Sequence, residues 1–481
     1  MTKFTTLKKT LWTVIAFFAT SVSAHPIDVN TAQSVAANFY KIQIRTEVQP
    51  QLALTLTKEL NVEQTFNYAY IFNVESGYVI VSGDDRFEPI LGYSTESHFD
   101  PTNIPFGLRD LLSSYGDEMK AALDQNVTND SRLTAQWDAL IAGTYTPSTR
   151  NTRAVTPLLT NNNWNQNNGY NYYCPADANG PAGHAYAGCV ALSMGQVIHY
   201  WEYPTHGFGS HSYECNHSSS QAGNYPDYGT LSANFANTTY NYSLMPNYLD
   251  GSTPSNQILA VARLLYHCGI AVDMFYGPDG SMAFHSDIAD ALQTFFGYDT
   301  CQTIYKNNHE SDWESILKGD LDLGHPIIYC AYTSAGGHEF ICDGYNTENY
   351  FHFNWGWGGY QNGYFLISNM NPSSYNFNSD HGIVMNIRPR TDNPNTDGIE
   401  TIEATSIQVF PNPASDRVEI NSNDNPIHTA SIFNNMGQLI STVSIENVHG
   451  QIDISNLTNG IYWIRVSTEK GTSTQKFIKQ N

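Results

Sequence analysis

Two short segments carry residues able to do nucleophilic chemistry. The run Gly188-Cys-Val-Ala-Leu-Ser-Met-Gly-Gln-Val-Ile-His-Tyr-Trp-Glu-Tyr-Pro204 repeats apolar residues at Val190, Met194, Val197, Ile198 and Trp201. That is helical spacing, and Pro204 stops it. Cys189 therefore opens a helix, where unpaired N–H groups and the helix dipole favour a thiolate. Taken alone, a cysteine is more often a buried or disulfide-bonded packing residue, so position leaves both readings open. The run Gly336-Gly337-His338-Glu-Phe-Ile-Cys-Asp-Gly-Tyr345 reads as turn, strand, turn, and Tyr350-Phe-His-Phe-Asn354-Trp355-Gly-Trp357-Gly-Gly359 reads as a returning strand. An antiparallel hairpin with its tip near 346–348 brings His338 close to Asn354 on one face. His338 would take the thiol proton, Asn354 would hold the ring, and Trp355 would shield their bond from water. The plainer alternative is a satisfied core histidine beside a packing run of Trp and Gly.

Acyl transfer also needs a donor for the developing oxyanion. Gln166, in Trp164-Asn-Gln166-Asn-Asn-Gly-Tyr-Asn-Tyr-Tyr-Cys-Pro175, could offer its amide beside the Cys189 N–H. Several other Asn and Gln stand in the same stretch, so spacing does not single it out. Metal chemistry fails on spacing: His338-Glu339 resembles the start of a zinc protease motif, but position 342 is Cys instead of the second His. The chain has no C-x-x-C pair, no G-x-S-x-G elbow and no phosphate-binding or dinucleotide fingerprint. The expected chemistry needs neither a metal nor an organic cofactor.

These segments sit in a chain of 481 residues, long enough for two or three domains. The formal net charge of -23 excludes nucleic acid as an expected partner, because no excess of Lys and Arg is present to neutralise phosphates. Lys3, Lys8 and Lys9, an apolar stretch from Leu11 to Thr20, and Val22-Ser23-Ala24 form a three-part secretory signal, residues 1–24. Residues 25–153 lack Cys. They predict a short helix capped by Asn30 or Thr31 with Val35, Phe39 and Ile42 on one face, a hairpin about Glu75-Ser76, and a helix from Leu108 to Leu123. Gly143 to Arg153 reads as an exposed, cleavable linker. Residues 154–390 hold all seven cysteines, an odd number that leaves at least one thiol unpaired. Helices are expected at Cys189–Tyr203, Asn256–Cys268 and Ser286–Phe296. Strands then follow at Ile327–Tyr332, Glu339–Asp343, Tyr350–Asn354, Gly363–Ile367 and Gly382–Ile387. Helices first and strands later give an α+β class. Residues 391–404 are polar and read as a linker. Short alternating runs in 405–481 predict a small antiparallel β-sandwich.

Gly188-Cys189-Val190-Ala191, Gly337-His338 with Asp343-Gly344, and Asn354-Trp355-Gly356-Trp357-Gly358-Gly359 together resemble the streptopain family of papain-like cysteine proteases. The resemblance runs from Asn30 to Ile387. It implies a papain-like catalytic domain, Cys189 as nucleophile, His338 as general base and acid, Gln166 as oxyanion donor and Asn354 as the orienting residue. It also implies that Gly337, Met282, Trp355 and Trp357 line the cleft for protein and peptide substrates. Tyr70 to Tyr93 resembles the family's propeptide, implying an intramolecular inhibitor and a zymogen. Val409-Phe-Pro-Asn-Pro-Ala-Ser-Asp, Asn434-Asn-Met-Gly-Gln-Leu, Ile454-Ser-Asn-Leu-Thr-Asn-Gly-Ile-Tyr462 and Lys476-Phe-Ile-Lys479 are similar to C-terminal sorting modules of Bacteroidetes-type export substrates. That similarity implies passage through type IX secretion machinery, across the outer membrane of a Gram-negative bacterium, to the surface or the medium. A thiol amidase or transpeptidase, and a non-catalytic adhesin, are the competing readings of the same fold.

Overall fold

The structure, a computed structural model, describes residues 26–44, 54–62, 66–74, 76–128, 131–147, 153–216, 226–333, 336–367, 381–390, 407–422, 425–434, 439–468 and 471–480. The expected signal, the 391–404 linker and residues 148–152 of the expected cleavable linker lie outside these residues. The N-terminal segment runs α1 (Val29–Ile44), β1 (Leu54–Val62), β2 (Phe66–Val74), β3 (Gly77–Ser82), β4 (Ile90–Ser94), α2 (Phe106–Asp124) and α3 (Ser131–Ala142). α1 buries Ala32, Val35, Ala36, Phe39 and Tyr40, so Val35 and Phe39 lie on the buried face as expected while Ile42 is only partly buried. Its cap is Asp28, whose Oδ1 accepts the N–H groups of Asn30 and Thr31 at 2.9 and 3.2 Å. The expected caps are thus donors to an earlier carboxylate, which also suits the positive helix end.

The central part contains α4 (Cys189–Trp201), the ribbon β5 (Ser210–Asn216) and β6 (Asp227–Asn234), α5 (Ser255–Ala271), α6 (Ile288–Phe296), β7 (Gln302–Tyr305) and α7 (Trp313–Leu321). Strands β8 (Ile327–Thr333), β9 (Gly336–Tyr345), β10 (Phe351–Asn354), β11 (Gly363–Phe365) and β12 (His381–Met385) follow. All five strands expected here are present. The α4 and α5 helices pack closely: a Cβ on Gly195 would lie 2.4 Å from Leu265 Cδ2. All seven cysteines are free thiols.

Local patterning did not disclose how the two parts join. β1 to β4 and the central strands form one antiparallel ten-stranded sheet, ordered β1-β2-β3-β4-β11-β10-β9-β8-β12-β7. The junction pairs Tyr93 with Tyr364 and Gly92 with Phe365. A shared apolar core crosses it, with Leu108, Leu112 and Tyr115 of α2 packed among residues that include Phe340, Phe353, Trp355 and Phe365. Tyr115 Oη donates to Leu366 O at 2.7 Å, and Tyr78 Oη donates to Gln361 O at 2.8 Å.

The C-terminal unit is a sandwich of two antiparallel sheets. One holds β13 (Gln408–Phe410), β14 (Arg417–Asn421) and β17 (His449–Asp453). The other holds β16 (Leu439–Asn447), β15 (Ile427–Asn434), β18 (Gly460–Thr468) and β19 (Gly471–Lys479). Val418, Ile420, Ala430, Ile432, Ile464 and Phe477 fill its core. This unit also docks on the central part. Phe433 and Trp463 pack against Phe284 and Phe275, with ring centroids 5.1 and 5.2 Å apart respectively. Arg465 pairs with Asp287 and, at 3.1 Å, with Asp290.

One polar tie across the sheet junction titrates. His352 bonds Asp343 Oδ1 through Nδ1 at 2.6 Å and Glu96 Oε1 through Nε2 at 2.8 Å. Burial opposes its charge, but Asp343 and Glu96 outweigh burial and raise its pKa from 6.5 to about 9. A raised histidine pKa gives stability that is complete below 6.5 and lost as the pH climbs through 9. The melting temperature of the full chain is expected to fall between pH 7 and about 9.5, and His352→Asn to flatten that fall. An equally steep fall in the variant would count against this tie.

Candidate active site

α4 begins where the chain needs glycine. Gly188 has φ 88° and ψ 144°, a conformation that L side chains avoid, and an added Cβ would lie 2.8 Å from Met274 Sδ and Cε. The preceding residues are pinned on both sides. Ala187 N donates to Gln166 O at 3.0 Å, and Ser281 Oγ donates to Tyr186 O at 2.7 Å. These bonds bring the Gln166 segment and the end of the Tyr276–Met282 segment to the start of α4. Cys189 thus sits at the helix N-terminus as its spacing predicted. Its own N–H, the N–H of Val190 and the N–H of Glu339 favour the thiolate. Desolvation, helped by the Glu339 carboxylate, outweighs them and pushes the thiol up to about 12.

His338 lies on β9, one residue from Glu339, and is buried. Its Nε2 is 3.2 Å from Trp355 O. A carbonyl only accepts, so Nε2 carries the proton and Nδ1 is the basic nitrogen. Desolvation lowers the ring's pKa to about 4. Among the described residues, no hydrogen bond joins His338 to Cys189. The ring instead meets the start of α2: Phe106 lies 6.4 Å away between centroids, and a Cβ on Gly107 would fall 2.9 Å from His338 Cδ2 and 2.9 Å from Trp355 Cε3. Cys189 thus lies beside Glu339 of β9, and the start of α2 packs against the neighbouring His338.

The orienting role expected of Asn354 is not the one it performs here. Asn354 Nδ2 donates to Asn162 O at 2.8 Å, and its Oδ1 accepts Gly356 N–H at 3.0 Å. The pairing explains the difference. β9 and β10 do form the expected hairpin, but Asn354 falls opposite Ile341, after a register shift between His352 and Phe353. The acceptor that orients His338 is the Trp355 carbonyl. Asn354 instead ties the strand end to the Asn162–Trp164 segment, which Gln196 also grips at 3.3 Å. Trp355 is fully buried on Phe340, Phe353 and Phe365, and its Nε1 donates to Gln361 O at 2.9 Å. It backs the His338 region without covering an Asn–His bond.

The remaining expected residues separate into two places. Gln166 is held by main-chain bonds near Cys189, and its loop is tied to the glycine run by Gly358 N donating to Trp164 O at 2.9 Å. Trp357 is half-buried, stands edge-on to Phe106 at 5.6 Å, and has a buried Nε1 with no hydrogen-bond partner among the described residues. Gly337 is exposed beside His338. Met282 exchanges main-chain hydrogen bonds with Phe275 and packs into the aromatic cluster that Phe433 and Trp463 complete. Glu339, His285 and Gly107 were not singled out by sequence. Glu339 was visible only as the residue after His338, and nothing local ties Gly107 to a site more than two hundred positions later.

Replacing Gly188 by Ala is expected to cost about 1–3 kcal/mol through backbone strain and to misplace Cys189. A lower urea midpoint together with slower alkylation of Cys189 would register both. An unchanged alkylation rate would remove Gly188 from the positioning of the thiol.

Known proteins resemble each of the three parts of the chain. Residues 164–365 match the model of the Peptidase C10 family. Residues 24–119 match the Spi protease inhibitor model, and 408–480 match a secretion system C-terminal sorting domain. Streptopain of Streptococcus pyogenes is 32% identical over 340 residues, covering 66% of this chain and 80% of that protein. Thiol protease/hemagglutinin PrtT of Porphyromonas gingivalis is 27% identical over 397 residues, and the chain spans 42% of its length. A fragment of Prevotella intermedia prointerpain A superposes with a TM-score of 0.56 at 29% identity, covering 70% of this chain and all of that one. Since residues 164–365 fit the Peptidase C10 model and streptopain is 32% identical with 80% of its length covered, the chain belongs to the Peptidase C10 family of papain-like cysteine proteases.

Proposed function

We propose that this chain is a secreted cysteine endopeptidase stored as a zymogen, in which residues 25–153 inhibit residues 154–390 in cis. The observation that carries this reading is the seat of Phe106 and Gly107 on His338 and Trp355. That contact holds the base while it is uncharged and unbonded to Cys189. The type IX sorting module, residues 405–481, directs export to the cell surface or medium through its secretion machinery.

Once the N-terminal segment leaves, His338 regains freedom to present Nδ1 to the Cys189 thiol, while Trp355 O still holds Nε2–H. The pair exchanges a proton and becomes thiolate and imidazolium, which is the reactive form. The thiolate attacks the peptide carbonyl. The Cys189 N–H and the Gln166 side-chain amide stabilise the oxyanion, and His338 protonates the departing amine. Water, deprotonated by His338, then cleaves the thioester and restores the thiol. Asn354 and Gln196 act by fixing the Asn162–Trp164 segment that leads into Gln166. Protein and peptide chains are the substrates.

Cys189→Ala is expected to abolish casein hydrolysis and to leave the full-length chain unprocessed. Retained hydrolysis would end the reading. A separate variant tests latency: Gly107→Leu places a side chain where only 2.9 Å is free. It should loosen α2 from His338 and speed alkylation of Cys189 in the unprocessed chain several-fold, whereas an unchanged rate would show that this contact does not restrain the site.

A further inference from the structure

Behind the nucleophile lies a second buried imidazole–carboxylate pair that the reaction above does not use. His285 begins a single helical turn, His285–Asp287, just before α6. Its Nδ1 is 3.1 Å from each carboxylate oxygen of Glu339, and the two side chains are 1% and 5% exposed. Cross-strand pairing puts Cys330 of β8 directly opposite Glu339, on the same face of the sheet. The groups facing the pair are Cys330 from β8, Tyr305 from β7, whose ring is 5.9 Å from that of His285, and Cys189 from α4. Asp287, at the end of the same turn, is itself paired with Arg465.

Glu339 acts on Cys189 in two opposed ways. Its main-chain N–H favours the thiolate, and its carboxylate disfavours it. A bare carboxylate in so desolvated a place would work against the thiolate that catalysis requires. We propose that His285 is a positioning residue which, as an imidazolium, neutralises the Glu339 carboxylate and leaves only the Glu339 N–H to act on the nucleophile. Burial opposes a charge on His285, but Cys330 and Glu339 outweigh it and hold the ring well above its ordinary pKa. A charged pair also explains why a carboxylate is tolerated next to His338 at all: the two opposite charges satisfy each other where water does not reach.

The inference rests on Cys189 being the nucleophile, and the test separates the two. Parent, His285→Asn, Glu339→Gln and the double variant are processed, with trace parent enzyme added where self-processing fails. The pH dependence of iodoacetamide labelling at Cys189 is then followed by mass spectrometry. His285→Asn is expected to move the acid limb up by about one pH unit, slowing labelling about tenfold at a pH below the limb. The double variant should return the limb to within about half a unit of the parent, because the charge that His285 balanced is gone. Glu339→Gln alone should show no upward shift. An unmoved limb in His285→Asn, a double variant as impaired as the single, or an upward shift in Glu339→Gln would each overturn the proposal. A parent profile altered by a strong zinc chelator would also overturn it, by assigning His285, Cys330 and Glu339 to a metal instead. Casein hydrolysis by Cys189→Ala would strike the nucleophile assignment itself.

Discussion

Everything distinctive about this chain depends on one strand pairing, β4 against β11. An open sheet edge offers unpaired N–H and C=O groups, and proteins generally cover it. Here the N-terminal segment covers the edge of the catalytic sheet and extends it by four strands. Once β4 is fixed, the shared core draws α2 across the sheet, and the start of α2 arrives at His338. The contact is thus a by-product of sheet completion: the hydrogen bonds that give the segment its fold also aim Gly107 at His338. Glycine at that position lets the helix approach closely enough to pack on both His338 and Trp355.

The electrostatics follow the same logic. Desolvation pushes the Cys189 thiol up and the His338 ring down, so burial disfavours a charge on either. Elsewhere, buried imidazoles stand beside carboxylates: His285 with Glu339, and, at the sheet junction, His352 with Asp343 and the more exposed Glu96. The same water exclusion would strengthen any attraction between Cys189 and His338 were the two brought together.

The local placement of Cys189 and His338 was legible in the sequence, and the limits are physical. Cys189 could be read because helical spacing and a stop at Pro204 are local signals. His338 could be read because a glycine turn, an apolar strand and a returning Trp/Gly strand suffice to predict a hairpin. Asn354 was misplaced because a register shift between His352 and Phe353 leaves no mark in the composition, and one residue of slip redirects side chains. The α1 cap moved to Asp28 because carboxylate, hydroxyl and amide side chains compete for the same N–H groups. The ten-stranded sheet was out of reach: patterning shows that a strand exists, whereas its neighbours are chosen by long-range packing. The His285–Glu339 pair was hidden for the same reason, since its members lie on elements far apart in the chain.

The seat of the sorting unit has its own consequence. Phe275 and Phe284, flanked by Asp287 and Asp290, are covered by Phe433, Trp463 and Arg465. Detaching that unit would leave aromatic rings bare beside two carboxylates that have lost their cation. An uncovered apolar patch of this kind is adhesive. The enzyme released from its export signal would thus differ from its precursor in surface character as well as in length. It would gain a tendency to cling to exposed hydrophobic polypeptide that the exported form keeps masked.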